Sequence, residues 1–347
     1  MKVTQTPTGK NKDGADIYAI DLENNTGTKV RIFNYGTIIN SFKIINKSGQ
    51  EQDIVLGFDD IDGYLSPVYL ANYPYFGAII GRYANRIAGG QISIEGKTYE
   101  LAKNVGGATL HGGLEGFDKK VWEIVDTMET PHAGVVLGYT SPDGEEQFPG
   151  TLDVQLTFEL TDHNELILSY EAETDAPTAI NLTHHSYFNL SPEGGSVENH
   201  HQRINASHYL EQDDNFTVTG KLIDVTGTHH DFRHGKRVGE NWDAEFGYDQ
   251  TYVLDKKYGE LTLASETTEP VSGLKLQVYT TEPVAHLYTA KYTEVENGKG
   301  GRSYGPFSGF CVETQHHPNG INIADFPSTV LKPGDVYHQT TIYKIIV

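Results

Sequence analysis

Alternation of apolar and polar residues at a period of two dominates this chain. Leu152, Val154, Leu156, Phe158 and Leu160 alternate with Asp, Gln, Thr and Glu; Thr161 to Asn164 offers a polar turn, and Leu166, Leu168 and Tyr170 resume the pattern. A half-buried antiparallel hairpin has this signature. Ile92 and Ile94, the turn Glu95–Gly96, then Tyr99 and Leu101 predict a shorter one. Leu274, Leu276 and Val278 predict a further strand, and Val336 to Val347 a closing one. Successive strands joined by short polar turns predict antiparallel sheets packed face to face. No segment keeps a helical period beyond two turns and no strand–helix alternation is present, which argues against a doubly wound nucleotide-binding fold. No fixed-period repeat marks a propeller. Glu294 to Arg302, rich in glycine and charge, reads as a loop between strands. With no linker and no shift of composition, residues 1–347 read as one all-β domain, a large antiparallel β-sandwich with few short helices.

Composition narrows the function. The 21 tyrosines and 14 phenylalanines enlarge a core that the 37% apolar content already allows. A formal charge of −21 disfavours nucleic acid, whose binding needs basic contacts to phosphate, and anionic membranes. It weighs more weakly against highly phosphorylated substrates, since a pocket can depart from the global sign. The single cysteine, Cys311, excludes an internal disulfide. The stretch Met1 to Gly14 has no apolar segment after its lysine, so no signal peptide is expected, and no apolar run nears the roughly 18 residues of a membrane span. A cytoplasmic enzyme or binding protein is the expectation.

Histidines are numerous, 15 in all, and four adjacent pairs invite a metal reading. Neighbours on a strand point to opposite faces, so His184–His185, His200–His201, His229–His230 and His316–His317 are poorly placed to share an ion. His230 and His234 have helical ligand spacing without a helix, and neither HExxH nor a Cys–His cluster exists. No metal is expected. His185 stands out in Asn181–Leu190 because Ser186, Tyr187 and Asn189 could orient its ring, for packing or for catalysis alike. His111 precedes two glycines, which suit either close backbone approach or a plain hairpin turn. In Gly309–Gln315, Glu313 shares a strand face with Cys311 and Gln315, while Phe310 and Val312 share the other. That suits a cleft wall, and also an ordinary solvent-facing strand. Asn85 and Arg86 supply donors for sugar hydroxyls or a plain surface, and Asp249, among aromatics, an acceptor or a turn carboxylate.

Taken in order, ANRI, LHGG, HHSYFNL, GYDQTY and SGFCVETQ resemble the signature blocks of the aldose 1-epimerase (galactose mutarotase) family. Ser141 to Gly150 also resembles a turn of that family, and the likeness is nearly full-length. The resemblance implies the sandwich of the galactose mutarotase type, an open sugar cleft, and no cofactor. It implies His185 as general acid, Glu313 as general base and His111 as a second active-site histidine. Asn85, Arg86 and Asp249 fall on substrate-contacting positions, and His286 sits where some members carry a substrate-facing Gln. Members often read NHSYFNL, with Asn in place of His184.

The reaction implied is interconversion of α and β hexose anomers, galactose first and glucose also, with a nearby carboxylate expected to help keep His185 charged. The expected partner is a small sugar, with no nucleic acid or membrane, and the protein a monomer or homodimer. Alternatives are an epimerase for maltose or a hexose 6-phosphate, for which only Arg82 and Arg86 supply nearby positive charge. A glycosidase pairing Asp249 with Glu313, and a non-catalytic sugar-binding sandwich, are the readings from other classes.

Overall fold

A computed structural model describes residues 1–347. Its strands are antiparallel and its α-helices are two single-turn pieces, Ile61–Leu65 and Pro67–Ala71. The predicted hairpins are present: Leu152–Leu160 pairs with Glu165–Thr174, Leu160 opposite Leu166, and Gln91–Ile94 pairs with Lys97–Glu100. Alternation has its expected cause, since Leu152, Val154, Leu156, Phe158 and Leu160 are all buried while Asp153 and Gln155 are exposed. The closing strand Tyr337–Ile346 inserts between Glu165–Thr174 and Lys275–Thr280, at the middle of a nine-stranded sheet.

A second sheet of five strands carries the candidate residues. Its order is Val218–Asp224, His208–Gln212, Asp249–Val253, Val284–Tyr288, Cys311–Gln315. One face joins the large sheet in a common core, with Tyr252, Ala285, Leu287 and Val312 in the same apolar cluster as Leu156, Phe158, Leu168 and Tyr343. This is the sandwich. The N-terminal meander of five strands contributes Ile20, Leu22 and Val30 to that cluster. On the opposite face, one end of the second sheet is covered by an aromatic cluster of Tyr64, Tyr69, Phe76 and Tyr187 packed with Tyr288 and Cys311. The rest of that face lies open to a cleft. No helix is long and apolar enough to cross a membrane.

The loop that follows His111 buries Asp118 almost completely, with Oδ2 left without a hydrogen-bond partner. Burial pushes its carboxyl up to about 6, against the pull of Lys119 and the Tyr73 hydroxyl. A carboxyl whose folded pKa exceeds the unfolded value of 3.8 favours the fold below that value and loses the advantage as pH rises through 6. At pH 8 the ionised group therefore costs up to about 3 kcal/mol. Asp118→Asn is expected to raise the melting temperature at pH 8 and to leave it nearly unchanged at pH 4. Identical melting curves at pH 8 would contradict the burial.

Candidate active site

Strand register sets the floor of the cleft. Thr251, His286 and Glu313 form one rung across three strands, and Asp249, Tyr288 and Cys311 form the next rung on the same face. The side chain of Glu313 is almost fully buried, far from the solvent-facing alternative, and its Oε2 has no protein partner. Its Oε1 lies 3.5 Å from His185 Nε2. Asn85, Arg86, His111, His185, Asp249, His286 and Glu313 all line one cavity of about 470 Å³. Residues up to 228 positions apart thus meet at one place (313 minus 85).

His184 and His185 diverge as strand neighbours should. His184 turns into the core between Tyr170 OH, 2.8 Å from Nδ1, and the Thr37 hydroxyl and carbonyl, each 3.1 Å from Nε2. Burial pushes its pKa down to about 4, so it is a neutral structural ring. His185 faces the cleft, near-parallel to Tyr187 at 5.0 Å and to Tyr75 at 6.0 Å, with Cys311 Sγ 3.5 Å from Nδ1.

One expectation about His185 is corrected. Of the neighbours thought to orient it, only Tyr187 does so: the Ser186 hydroxyl is buried without a partner, and Asn189 bonds the carbonyls of Gly195 and Ser308. The carboxylate helps to charge the ring, as expected, but does not prevail. Burial lowers the His185 pKa, and the opposing charge of Glu313 only partly offsets it.

The ring of His111 is held by the backbone of Asn85. The Asn85 N–H donates to His111 Nδ1 at 3.2 Å, and burial keeps the ring neutral, so Nε2 carries the proton. The glycine after it is required, because a Cβ at Gly112 would lie 2.0 Å from the carbonyl oxygen of Gly81. His111, His185 and Glu313 bring one ligand-type atom each within 4.8 Å of one another, a spacing a divalent ion could use. The protonated Nε2 of His111 makes the set a donor, a carboxylate and a proton-exchanging ring instead.

The cleft walls extend beyond what the sequence suggested. Arg86 lies over the ring of Phe216 at 5.4 Å, and its Nε has no partner. Tyr75, Asn85, His111 and Phe216 all adopt positive φ, between 53° and 62°. Asn and His enter that region more readily than most residues, but bulky aromatics such as Tyr75 and Phe216 rarely do, and such strain gathers at functional sites. Phe216 could have been suspected from an aromatic in the polar turn Asp213-Asp-Asn-Phe216, and Tyr75 from the aromatic run Tyr73-Pro-Tyr-Phe76.

Arg82 lies outside the cavity. It is buried and donates to the carbonyls of Pro149, Gly150, Ser141 and Pro142, pinning the Ser141–Gly150 loop. Asp249 is tied to His286, Oδ1 to Nε2 at 2.9 Å, on a strand separated from that of Glu313 by one other. A second, more polar cleft of about 770 Å³ lies around Lys299 and Asp53, which pair with each other at 2.8 Å, as Lys43 and Glu51 do at 3.0 Å.

The arrangement offers a buried carboxylate with a free oxygen, a proton-exchanging ring beside it, and hydrogen-bonding groups of both kinds around them. A polyhydroxylated ring is the ligand that uses all three. A family model for aldose 1-epimerase matches residues 18–344. The chain is 39% identical to the galactose mutarotase of Bos taurus over 324 residues, 92% of this chain and 91% of that one. Among solved structures it resembles an aldose epimerase homologue from C. elegans, with a TM-score of 0.86 at 31% identity over 94% of this chain and 98% of that one. It also resembles the galactose 1-epimerase of Lactobacillus acidophilus, with a TM-score of 0.84 at 27% identity over 100% and 99%.

Because the charge of Glu313 raises the His185 pKa against burial, removing it should let the ring fall further. NMR titration of the histidine rings is expected to place His185 below 6.5, and lower still in Glu313→Gln. An unchanged or higher value in that variant would mean that the two groups are not coupled.

Proposed function

The chain belongs to the aldose 1-epimerase family, and from that premise we propose a hexose mutarotase, acting on galactose and also glucose, with Glu313 as base and His185 as acid. The observation that carries the reading is the 3.5 Å approach of His185 to a buried Glu313 that has one oxygen free. Glu313 removes the proton of the anomeric hydroxyl while His185 protonates the ring oxygen, and the C1–O5 bond breaks. The free aldehyde rotates about C1–C2. O5 then attacks the other face of C1, returning its proton to His185 while Glu313 gives its proton to O1. The low pKa of His185 makes its protonated form the stronger acid toward the ring oxygen. Acid and base contribute roughly 10²–10⁴-fold each.

In this reading Arg86, Asn85 and the Nε2–H of His111 donate to sugar hydroxyls, and the Asp249 carboxylate accepts from them. A hexose 6-phosphate is disfavoured, because Arg82 is spent on backbone carbonyls and leaves Arg86 as the one arginine lining the cavity. A glycosidase pair is disfavoured too, since Asp249 is bound to His286. The reading includes a single domain, a cytoplasmic setting and a monomer or homodimer. A shared core supports the first, and a lone buried cysteine and an acidic surface the second.

Polarimetry of fresh α-D-galactose, α-D-glucose and α-maltose tests it. Wild type is expected to speed the approach to an unchanged final rotation, fastest with galactose. Glu313→Gln and His185→Asn are each expected to lose about 100-fold or more with the fold intact. Spontaneous rates on all three sugars would overturn the reading. Full turnover in either variant would overturn its role, and binding without any turnover in wild type would leave a sugar-binding module.

A further inference from the structure

His286 is the one histidine at the floor of the cleft that the proposed chemistry leaves without a part. Its ring is 3% exposed and has both nitrogens engaged, Nδ1 with Thr251 Oγ1 at 2.8 Å and Nε2 with Asp249 Oδ1 at 2.9 Å. A sugar hydroxyl could reach neither nitrogen without breaking one of these bonds. The substrate-facing position expected for it is therefore occupied by a ring that works through its neighbour.

The bonding pattern also survives a change of charge. A hydroxyl both donates and accepts, so Thr251 can accept from a protonated Nδ1 or donate to a bare one. Nε2–H bonds Asp249 in either state. What protonation changes is the strength of that hold, since the imidazolium adds the attraction of two opposite full charges at 2.9 Å to a bond that a neutral N–H makes through its dipole alone.

The groups that face His286 come from every element around it. Asp249 belongs to the strand on one side, Glu313 lies directly opposite on the strand on the other, and over the cleft stand His185, His111 and Arg86, the last from the short strand Arg86–Ile87. Two carboxylates thus flank the ring. Burial pulls its pKa down, but the bond and charge of Asp249, helped by Glu313, more than offset this and leave it above the ordinary histidine value. Asp249 responds in kind: burial pushes its pKa up, and the bond and charge of His286 bring it below the usual carboxylate range.

We propose that His286 is a titratable positioning residue, whose imidazolium fixes the Asp249 carboxylate in the orientation that accepts sugar hydroxyls, so that loss of its proton loosens sugar binding while the Glu313–His185 pair stays in place. The inference rests on the mutarotase reading. Its sign follows from the charge: binding is tightest below the pKa of His286 and weakens as pH rises through it.

The test is KM and kcat for α-D-galactose from pH 6 to 9 in wild type, His286→Gln and His286→Ala. Matched near-ultraviolet circular dichroism would show that the variants fold. Wild-type KM is expected to rise several-fold toward pH 9. Gln, which donates to Asp249 but does not titrate, should flatten that rise, and Ala should raise KM at every pH. The effects should fall on KM rather than kcat. The same KM–pH curve in wild type and His286→Gln would overturn the proposal, as would a loss confined to kcat. Absence of any acceleration by wild type would overturn the mutarotase reading and this role together, whereas an active wild type with a flat KM would overturn the role alone.

Discussion

The site depends on desolvation. Glu313, His286, His185 and His111 are all buried side by side, on or against one face of a β-sheet, and burial disfavours the charged form of each kind of group. Such a set persists only if each charge has a partner close by. Register supplies the partners: antiparallel pairing sets His286 between Thr251 and Glu313, and Asp249 one step along the same face. The histidines then part company. His111 is held neutral, His185 is left weakly basic, and His286 is held more basic than a free ring. Three rings within one cleft therefore have three different proton affinities, which is the condition for giving them different parts.

The loops above this floor are held in costly conformations. Tyr75, Asn85, His111 and Phe216 at positive φ are maintained by the structure around them. Some of those supports are visible. The backbone of Gly112, next to His111, is pressed against the Gly81 carbonyl, which only glycine there permits, and Arg82 fastens the neighbouring loop through four carbonyls. Tyr75 in turn meets His111 edge-on at 4.8 Å and lies near-parallel to His185. The result is a floor set by strand register and a wall braced by these contacts.

Much of this was legible in the sequence because it is periodic. Alternation located the Leu152–Leu160 hairpin, the short Gln91–Glu100 hairpin and the closing strand. It also put Glu313 on the face opposite Val312, and the seven proposed site residues meet in one cavity. What escaped is long-range. Nothing local to Ser186 or Asn189 reveals that one is unpartnered and the other bonds elsewhere, nor that burial outweighs Glu313 at His185. Arg82 and Arg86, four residues apart, look alike as letters; only the fold shows one as an internal tie and the other as a cleft donor. His286 reads as a substrate contact in the sequence, but in the fold both its nitrogens are already bonded.

The most direct measurement of the central claim is a crystal structure of Glu313→Gln with D-galactose. The account requires the anomeric hydroxyl within about 3 Å of residue 313 and the ring oxygen within about 3 Å of His185 Nε2. A sugar bound with its ring oxygen turned away from His185, or bound outside this cleft, would contradict the assignment of acid and base.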